Sequence, residues 1–238
     1  MHPYYQQNKE KFRKQMDVFL SPIAEELESD TGQPYRQLLN KAWTCYETQM
    51  LEELPFIGGD RSSGTRNLTG AFAFVALGEI LRPYGVSLER WGYLTTLAYR
   101  RYFEKIPRPV RKLPGLLVRF PGLANRMLRK KDASNAANAA RNPGAFETSV
   151  QTPTEEFPII YHTKVCPLAD FARAHGYLDY MPYICNLDYV SFGVFGIPFY
   201  REKTCAAGDG VCDFKFTRSA PVVPSWPCHA LTEGDPLK

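Results

Sequence analysis

The segment at residues 71–81, AFAFVALGEIL, constrains the fold of this 238-residue chain more than any other. It is apolar nearly all the way around a helix, and such a helix is stable only when protein covers it on every side. Pro83 and Gly85 would end the helix, which we expect to run from about Leu68 to Leu81. The segment therefore predicts a central helix with the other elements packed around it.

The apolar pattern changes character along the chain. Helical spacing predicts further helices at residues 4–28, 35–54 and 87–102, with Pro22 bending or restarting the first of them. Later segments rich in β-branched and aromatic residues predict strands at residues 146–151, 157–165, 198–206 and 211–218. Short helices are expected between them, at residues 167–175 and 178–187. We expect an α+β fold, with a helical N-terminal half packed on a C-terminal antiparallel sheet with short helices.

Two divisions follow from this pattern: N-terminal helices at residues 1–54 and an α+β domain at residues 55–238, which we expect to pack as one unit. Four prolines punctuate residues 107–121. Short helices or an extended crossing are expected there, and a lid or pocket wall is favoured over a membrane-surface segment. Residues 132–143 contain few large side chains and predict a mobile linker.

Charge and hydropathy exclude some classes of protein. The net charge of +4 is small and dispersed, so we expect no nucleic-acid partner. The cluster of Arg126, Arg129, Lys130 and Lys131 is interpreted as a solvated helix end. No run approaches the roughly 18 apolar residues that span a bilayer, and no secretory pattern opens the chain. We therefore expect no integral membrane association and a cytoplasmic location. A small-molecule substrate is also expected, and a homo-oligomer is compatible with these features.

Six cysteines would stay reduced in that compartment, and they can be core residues, metal ligands or reactive thiols. Cys45 lies on an apolar helical stripe and is expected in the core. Cys185 and Asp188, in the sequence CNLD, would share one face of a helical turn. That pairing suits a division of labour, with the thiol as nucleophile or ligand and the carboxylate transferring protons. A buried cysteine beside a capping aspartate is the alternative.

A second group of cysteines lies near the predicted strands. A hairpin with Gly208 and Asp209 as its loop would place Cys205 opposite Cys212, and Glu202 opposite Lys215. The two thiols could share a zinc ion, form a disulfide or pack. A structural zinc needs four ligands, and Cys166, Cys185, His162 and Glu202 are the further candidates. His162 and Cys166, at a strand-to-helix junction, could instead form a base and nucleophile pair.

The C-terminal third resembles a known family. Its segment contains, in order, Cys166, Gly176, Cys185-x-x-Asp188, Arg201-x-x-Thr204, Gly208 and Cys212-Asp213-Phe214. This set is similar to the L-2-amino-thiazoline-4-carboxylic acid hydrolase family, and the earlier Phe56-Ile57-Gly58-Gly59 and Asn67 look like that family's glycine loop. The resemblance implies hydrolytic opening of a cyclic C=N bond in a small sulfur heterocycle, giving a carbamoyl-cysteine.

Two shorter likenesses accompany it. The end of the segment, YREKTCAAGDGVCDFKF, is similar to 4-vinyl reductase-type sensor domains, in which a glutamate and cysteines bind zinc. CNLD followed by a Cys-Ala-x-Gly sequence looks like alkylmercury lyases. Alternatives therefore stay open: a zinc-stabilised small-molecule-binding module, or a biosynthetic cyclase or isomerase in the same pocket.

The expected site combines these residues. Cys185 and Asp188 would be catalytic, and Arg201 would hold a substrate carboxylate with its fork of donors. Substrate contacts are also expected from Gly58, Gly59, Asn67 and His162. Cys166, Cys205 and Cys212 would be metal ligands or structural thiols. The pocket would lie between the Gly58-Gly59 loop and the Cys185 to Asp188 turn.

Overall fold

A computed structural model describes residues 1–217. The expectation of an α+β fold, with helices mostly in the N-terminal half and an antiparallel sheet, is confirmed. The helices are α1 Pro3–Gln7, α2 Lys9–Leu20, α3 Ala24–Thr31, α4 Tyr35–Tyr46, α5 Ser63–Leu81, α6 Leu88–Glu104, α7 Arg108–Val118, α8 Pro121–Ala139, α9 Pro167–His175 and α10 Met181–Val194. The strands are β1 Glu147–Val150, β2 Ile159–Val165, β3 Phe199–Tyr200 and β4 Cys212–Phe216.

Helix α5 is the centre of the molecule, as its apolar circumference predicts. Phe72, Val75 and Leu77 are fully buried, although they point in different directions around the helix. The helix begins at Ser63, five residues earlier than expected, so Asn67 lies on a helix and not in a loop. Local polarity concealed this first turn, because exposed helical positions tolerate polar residues.

Helices α6 and α10 lie against each other and carry the side chains that matter below. A Cβ atom added to Gly92 on α6 would lie 1.9 Å from the ring of Tyr183 on α10, so only glycine permits this approach. The ring of Trp91 packs on the rings of Tyr180 and Tyr183, and its Nε1 donates to the carbonyl oxygen of Phe74 at 2.9 Å. The core thereby fixes α10 relative to the central helix.

The sheet is antiparallel throughout, with strand order β1-β2-β4-β3. Its predicted positions are confirmed for β1, β2 and β4, but the third strand is much shorter than residues 198–206. Tyr200 pairs with Lys215, so the predicted register, in which residue 202 faces 215, is wrong by two residues. Residues 201–211 form a long loop instead of a tight hairpin, because side chains in the loop take the hydrogen bonds that a regular ladder would supply.

The predicted linker at residues 132–143 is wrong in its first part, because α8 continues to Ala139. Asp132 on this helix accepts hydrogen bonds from the hydroxyl of Thr148 at 2.8 Å and from the amide of Val150 at 2.6 Å. Helix α8 is therefore fastened to the edge strand β1. Alanine and asparagine made the segment look like a linker, although alanine has the highest helix propensity. Within residues 1–217, no helix is long and apolar enough to cross a bilayer.

Candidate active site

Cys185 and Asp188 lie one turn apart on α10, as their spacing predicts. Both side chains are partly exposed, whereas Asn186 and Leu187 between them are buried in the core. The thiol and the carboxylate therefore share the face of α10 that is directed away from the packed core. Met181 and Tyr183 anchor the start of the helix in that core.

Arg201 crosses from the loop after β3 to this face of α10. Its Nη1 donates to Oδ2 of Asp188 at 2.6 Å, and its Nη2 donates to the carbonyl oxygen of Cys185 at 2.6 Å. Only 1% of the Arg201 side chain is exposed, against 40% of the Asp188 side chain. One guanidinium group therefore holds both the backbone at Cys185 and the carboxylate of Asp188.

The surroundings of Arg201 are built to hold a buried cation. The rings of Tyr189, Phe199 and Phe214 lie 5.3–5.6 Å from its guanidinium carbon. The amide of Arg201 donates to the hydroxyl of Tyr189 at 3.1 Å, and that hydroxyl donates to the carbonyl oxygen of Arg201 at 2.9 Å. Aromatic faces and a nearby carboxylate offset the cost of removing this charge from water.

Two aspartates shape the loop that presents Arg201. Oδ1 of Asp213 accepts hydrogen bonds from the amides of Glu202 and Lys203, at 3.0 and 2.6 Å. Oδ2 of Asp209 accepts from the amide of Thr204 at 2.9 Å. These bonds explain why the ladder stops at Tyr200. The motif residues from Arg201 to Asp213 thus serve mainly to position the arginine.

The carboxylate of Asp188 lies in a concavity. Burial raises its pKa, while the charges of Arg201 and Lys131 act in the opposite direction. A group that is desolvated by surrounding protein and still 40% exposed must line a recess that water can enter. This recess is the place where a small substrate could meet both Cys185 and Asp188.

Lys131 of α8 contributes a positive charge to the recess. Burial lowers its pKa, which the nearby carboxylates Asp132 and Asp188 partly restore. Its Nζ lies 5.5 Å from the ring centre of Tyr161 on β2. Burial also raises the pKa values of Tyr161 and of Tyr99 on α6, and both phenols lie within electrostatic range of Asp188. Side chains of α6, α8 and the sheet thus lie within electrostatic range of Asp188 on α10.

The thiols differ in acidity. Burial raises the pKa of Cys185 to about 12, outweighing the opposing charge of Arg201. Burial also raises the pKa of Cys166. A hydrogen bond with Cys212 lowers the pKa of Cys205 and raises that of Cys212. Cys185 is thus a protonated thiol at neutral pH that needs a base.

Cys205 and Cys212 are neighbours even though the predicted hairpin register is wrong. The amide of Cys205 donates to Sγ of Cys212 at 3.2 Å, and the Cys205 thiol donates to the carbonyl oxygen of Thr163 at 3.5 Å. The five cysteines among residues 1–217 are free thiols. Within the same range, no three histidine, cysteine, aspartate or glutamate side chains are arranged to hold a metal ion.

The glycine loop packs against side chains of α1 and α8, and its predicted substrate contacts stay a prediction. A Cβ atom on Gly58, whose φ is +107°, would lie 2.3 Å from Oδ1 of Asn138, and one on Gly59 would lie 2.9 Å from the Tyr4 ring. Nδ2 of Asn138 also donates to the carbonyl oxygen of Ile57 at 2.9 Å. Asn138 follows Lys131 by two helical turns, about 10 Å along α8. The structure therefore gives this loop a packing role.

The two other predicted substrate contacts, Asn67 and His162, stay predictions. Asn67 is exposed on the first part of α5. His162 is paired with Asp213 on β2 and β4, on the sheet face opposite Tyr161, since side chains alternate along a strand. Burial lowers the pKa of His162, and its charged neighbours are Asp213, Lys164, Lys203 and Lys215. Cys228 and His229 lie outside the described residues.

Lys131, Tyr99 and Tyr161 were not predicted as site residues. The sequence places Lys131 in a solvated basic cluster. The structure distinguishes it from Lys130, because Lys131 lies in electrostatic range of Asp188 whereas Lys130 lines the outer concavity of α8. Asp132, the acidic residue that follows the basic cluster, is the sequence feature that could have singled out Lys131. It lies on the turn of α8 that contacts β1.

Comparison with known proteins gives a family match over part of the chain. No curated protein and no solved structure matches the chain significantly. Phe56 to Gly59 and Asn67, which the sequence resemblance included, fall outside the stretch that a family model matches. That stretch, residues 118–216, contains Cys185, Asp188, Arg201 and Lys131 and matches the model of L-2-amino-thiazoline-4-carboxylic acid hydrolase, which confirms the resemblance to this family.

Proposed function

We propose that this protein hydrolyses a small cyclic C=N compound of the thiazoline type, with Cys185 and Asp188 as the reacting pair. The observation that carries the proposal is the geometry of Arg201. Its Nη1 lies 2.6 Å from Oδ2 of Asp188 and holds that carboxylate beside Cys185 on the partly exposed face of α10. The family name denotes a hydrolase of a thiazoline carboxylic acid. The natural substrate would share its cyclic amidine and its carboxylate.

In the proposed reaction, Asp188 takes the proton of the Cys185 thiol while the sulfur adds to the carbon of the C=N bond. The electron pair of that bond moves to the nitrogen, which receives the proton from Asp188. The nitrogen lone pair then re-forms a C=N bond while the ring C–S bond breaks, and Asp188 passes the proton from that nitrogen to the leaving ring sulfur. Water next adds to the same carbon with Asp188 as base, and its proton goes on to the C=N nitrogen. The adduct collapses to a C=O group as the Cys185 sulfur leaves and takes the hydroxyl proton through Asp188. A raised thiol pKa suits this route, because the proton must be removed during the attack and not before it.

Lys131, and not Arg201, is proposed to hold the substrate carboxylate. Nη1 and Nη2 of Arg201 are both engaged and its side chain is 1% exposed, so it is a positioning residue for Asp188. The surrounding protein desolvates Lys131, yet its side chain remains accessible to water and forms no ion pair within 4 Å with any carboxylate among residues 1–217. A point charge at the edge of the recess can bind an anionic group without restricting the reacting carbon.

The test is turnover of L-2-amino-thiazoline-4-carboxylic acid followed by mass spectrometry. Hydrolysis adds one water, whereas a cyclase or isomerase would leave the mass unchanged. Cys185→Ser and Asp188→Asn should each lower kcat by roughly 100-fold or more. Cys205→Ser and Asp170→Asn are matched controls, since they change a partly exposed thiol and an exposed carboxylate outside the pair. Full turnover in both Cys185→Ser and Asp188→Asn would overturn the assignment.

A further inference from the structure

Positive charge is concentrated in residues 105–130, a segment that we name the basic hairpin. It includes α7 and the first half of α8, with eight lysines and arginines and no aspartate or glutamate. Since the whole chain carries +4 and this segment +8, the remainder carries −4. None of the eight cations forms an ion pair with a carboxylate among the described residues.

The basic hairpin also exposes large apolar side chains. Seven of the nine exposed large hydrophobic residues in the described chain belong to it, and the other two are Met1 and Val18. The seven, with 36–64% of their surface exposed, are Val110, Leu113, Leu116, Leu117, Phe120, Leu123 and Met127. Spacings of three and four place most of them along one side of each helix. Such a concentration is uncommon on a surface that meets only water.

The opposite side of the hairpin is firmly seated. Val118 is buried against Tyr189 and Phe216, and Ala124 and Leu128 pack on the same cluster. A Cβ atom on Gly115 would lie 2.6 Å from the carbonyl oxygen of Gly196 at the end of α10. The outer apolar side is therefore held away from the core, and no other part of residues 1–217 covers it.

We propose that the outer face of the basic hairpin binds an anionic lipid surface. Aliphatic side chains next to unpaired cations match the acyl boundary and the phosphates of such a surface, and each nearby lysine or arginine contributes about 1 kcal/mol. Arg126, Arg129 and Lys130 also line a shallow concavity of about 580 Å³ on α8, which can receive phosphate groups. Binding would be peripheral, with no segment crossing the bilayer.

Other occupants fit the same surface less well. A second copy of this chain would bring eight like charges against eight. Nucleic acid would neutralise the cations, but its bases stack on aromatic rings, and Phe120 is the single aromatic residue among the seven exposed ones. Only a lipid interface uses the aliphatic residues and the cations together.

Sedimentation of the full chain with vesicles tests this proposal. Vesicles of phosphatidylcholine with about 30% phosphatidylserine should bind roughly tenfold more protein than phosphatidylcholine alone, and high salt should weaken the binding. The triple variant Leu113→Ser, Phe120→Ser and Met127→Ser should lose binding to the mixed vesicles. So should the triple variant Arg126→Gln, Arg129→Gln and Lys130→Gln.

Matched controls separate the surface from general effects. Val18→Ser removes an exposed apolar residue elsewhere, and Lys14→Gln, Arg36→Gln and Arg61→Gln together remove three exposed charges elsewhere. Both controls should bind like the unchanged protein, with circular dichroism confirming the fold of every variant. Absence of vesicle binding, or equal binding to neutral and anionic vesicles, would overturn the proposal. A dimer in sedimentation velocity that the hairpin variants abolish would also overturn it, by assigning the face to a second copy.

Discussion

Nη1 of Arg201 and Oδ2 of Asp188 lie 2.6 Å apart, yet the two side chains differ sharply in exposure, at 1% and 40%. The arginine is part of the core, and the carboxylate reaches into a recess. A rigid buried cation therefore orients an accessible base, and most of the motif residues between Arg201 and Asp213 contribute to holding that cation in place.

The buried cation should be essential to the fold around the site. Arg201→Gln removes the charge that neutralises Asp188 and leaves the ring cluster of Tyr189, Phe199 and Phe214 around a shorter amide. We expect the free energy of unfolding to fall by roughly 3 kcal/mol, measured by urea denaturation. Arg173→Gln, at an exposed ion pair, should cost less than about 1 kcal/mol. Equal effects of the two substitutions would contradict the role given to Arg201.

The pH dependence of activity should report Asp188. Its pKa lies above the ordinary carboxyl value of 3.8, and a base must be ionised, so kcat/KM should rise with pH through that raised value. Arg201→Gln should move this acidic limb to higher pH, because the arginine charge lowers the pKa. An unchanged limb in Arg201→Gln would show that another group controls it.

The same shift has a consequence for stability. A raised folded-state pKa means that protonated Asp188 favours the folded protein below the unfolded pKa, and that this contribution is lost as pH rises through the folded value. Asp188→Asn should remove this dependence, which urea denaturation at several pH values would detect.

The thiols should react in a set order with iodoacetamide. Among the cysteines of residues 1–217, Cys205 should be alkylated first near neutral pH, because hydrogen bonding with Cys212 lowers its pKa and its side chain is partly exposed. Cys185 should react slowly, with a rate that rises with pH toward its pKa of about 12. Peptide mapping by mass spectrometry gives the order of alkylation. The same mapping of Cys205→Ser shows whether losing the Cys205 thiol changes the alkylation rate of Cys185. Faster labelling of Cys185 at pH 7 would mean that it is already a thiolate.

Lys131 should affect substrate binding more than the chemical step. Lys131→Met should raise KM by roughly tenfold or more with a small change in kcat, since a charge-assisted contact contributes about 1.5–3 kcal/mol. Lys130→Met is the matched control, because it removes the neighbouring charge, which lies at the outer concavity of α8. A substrate analogue without the carboxylate should bind Lys131→Met and the unchanged protein equally.

Gly58 should matter for stability and not for turnover. Gly58→Ala places a Cβ at 2.3 Å from the Asn138 side chain in a backbone with φ of +107°, so unfolding should become easier by roughly 2–4 kcal/mol. Adding Asn138→Ala removes the close contact but leaves the backbone strain at position 58. The double variant should therefore be less stable than Asn138→Ala alone, by a smaller free energy than Gly58→Ala costs the unchanged protein. The kcat of folded Gly58→Ala should stay near that of the unchanged protein; a large loss would return this loop to the substrate site.

Local pattern alone determined a considerable part of this molecule. The apolar circumference of residues 71–81 required a central helix, and the period of a helix placed Cys185 and Asp188 on one face. Enrichment in β-branched and aromatic residues located β1, β2 and β4. These features depend on neighbours within a few residues, where backbone geometry relates sequence directly to direction in space.

Contacts between distant segments required the tertiary structure. The sequence pattern suggests a substrate contact for Arg201, whereas its partner in the structure is Asp188, 13 residues away. The two residues meet only because the loop folds back on α10. Lys131 was hidden in a basic cluster because the packing of α8 against β1 decides which cation enters the recess. The register of β3 and β4 was decided by the hydrogen bonds of Asp209 and Asp213 in the loop. The sequence determined which side chains can do chemistry, whereas burial and long-range contacts decided which of them hold the site and which can meet a substrate.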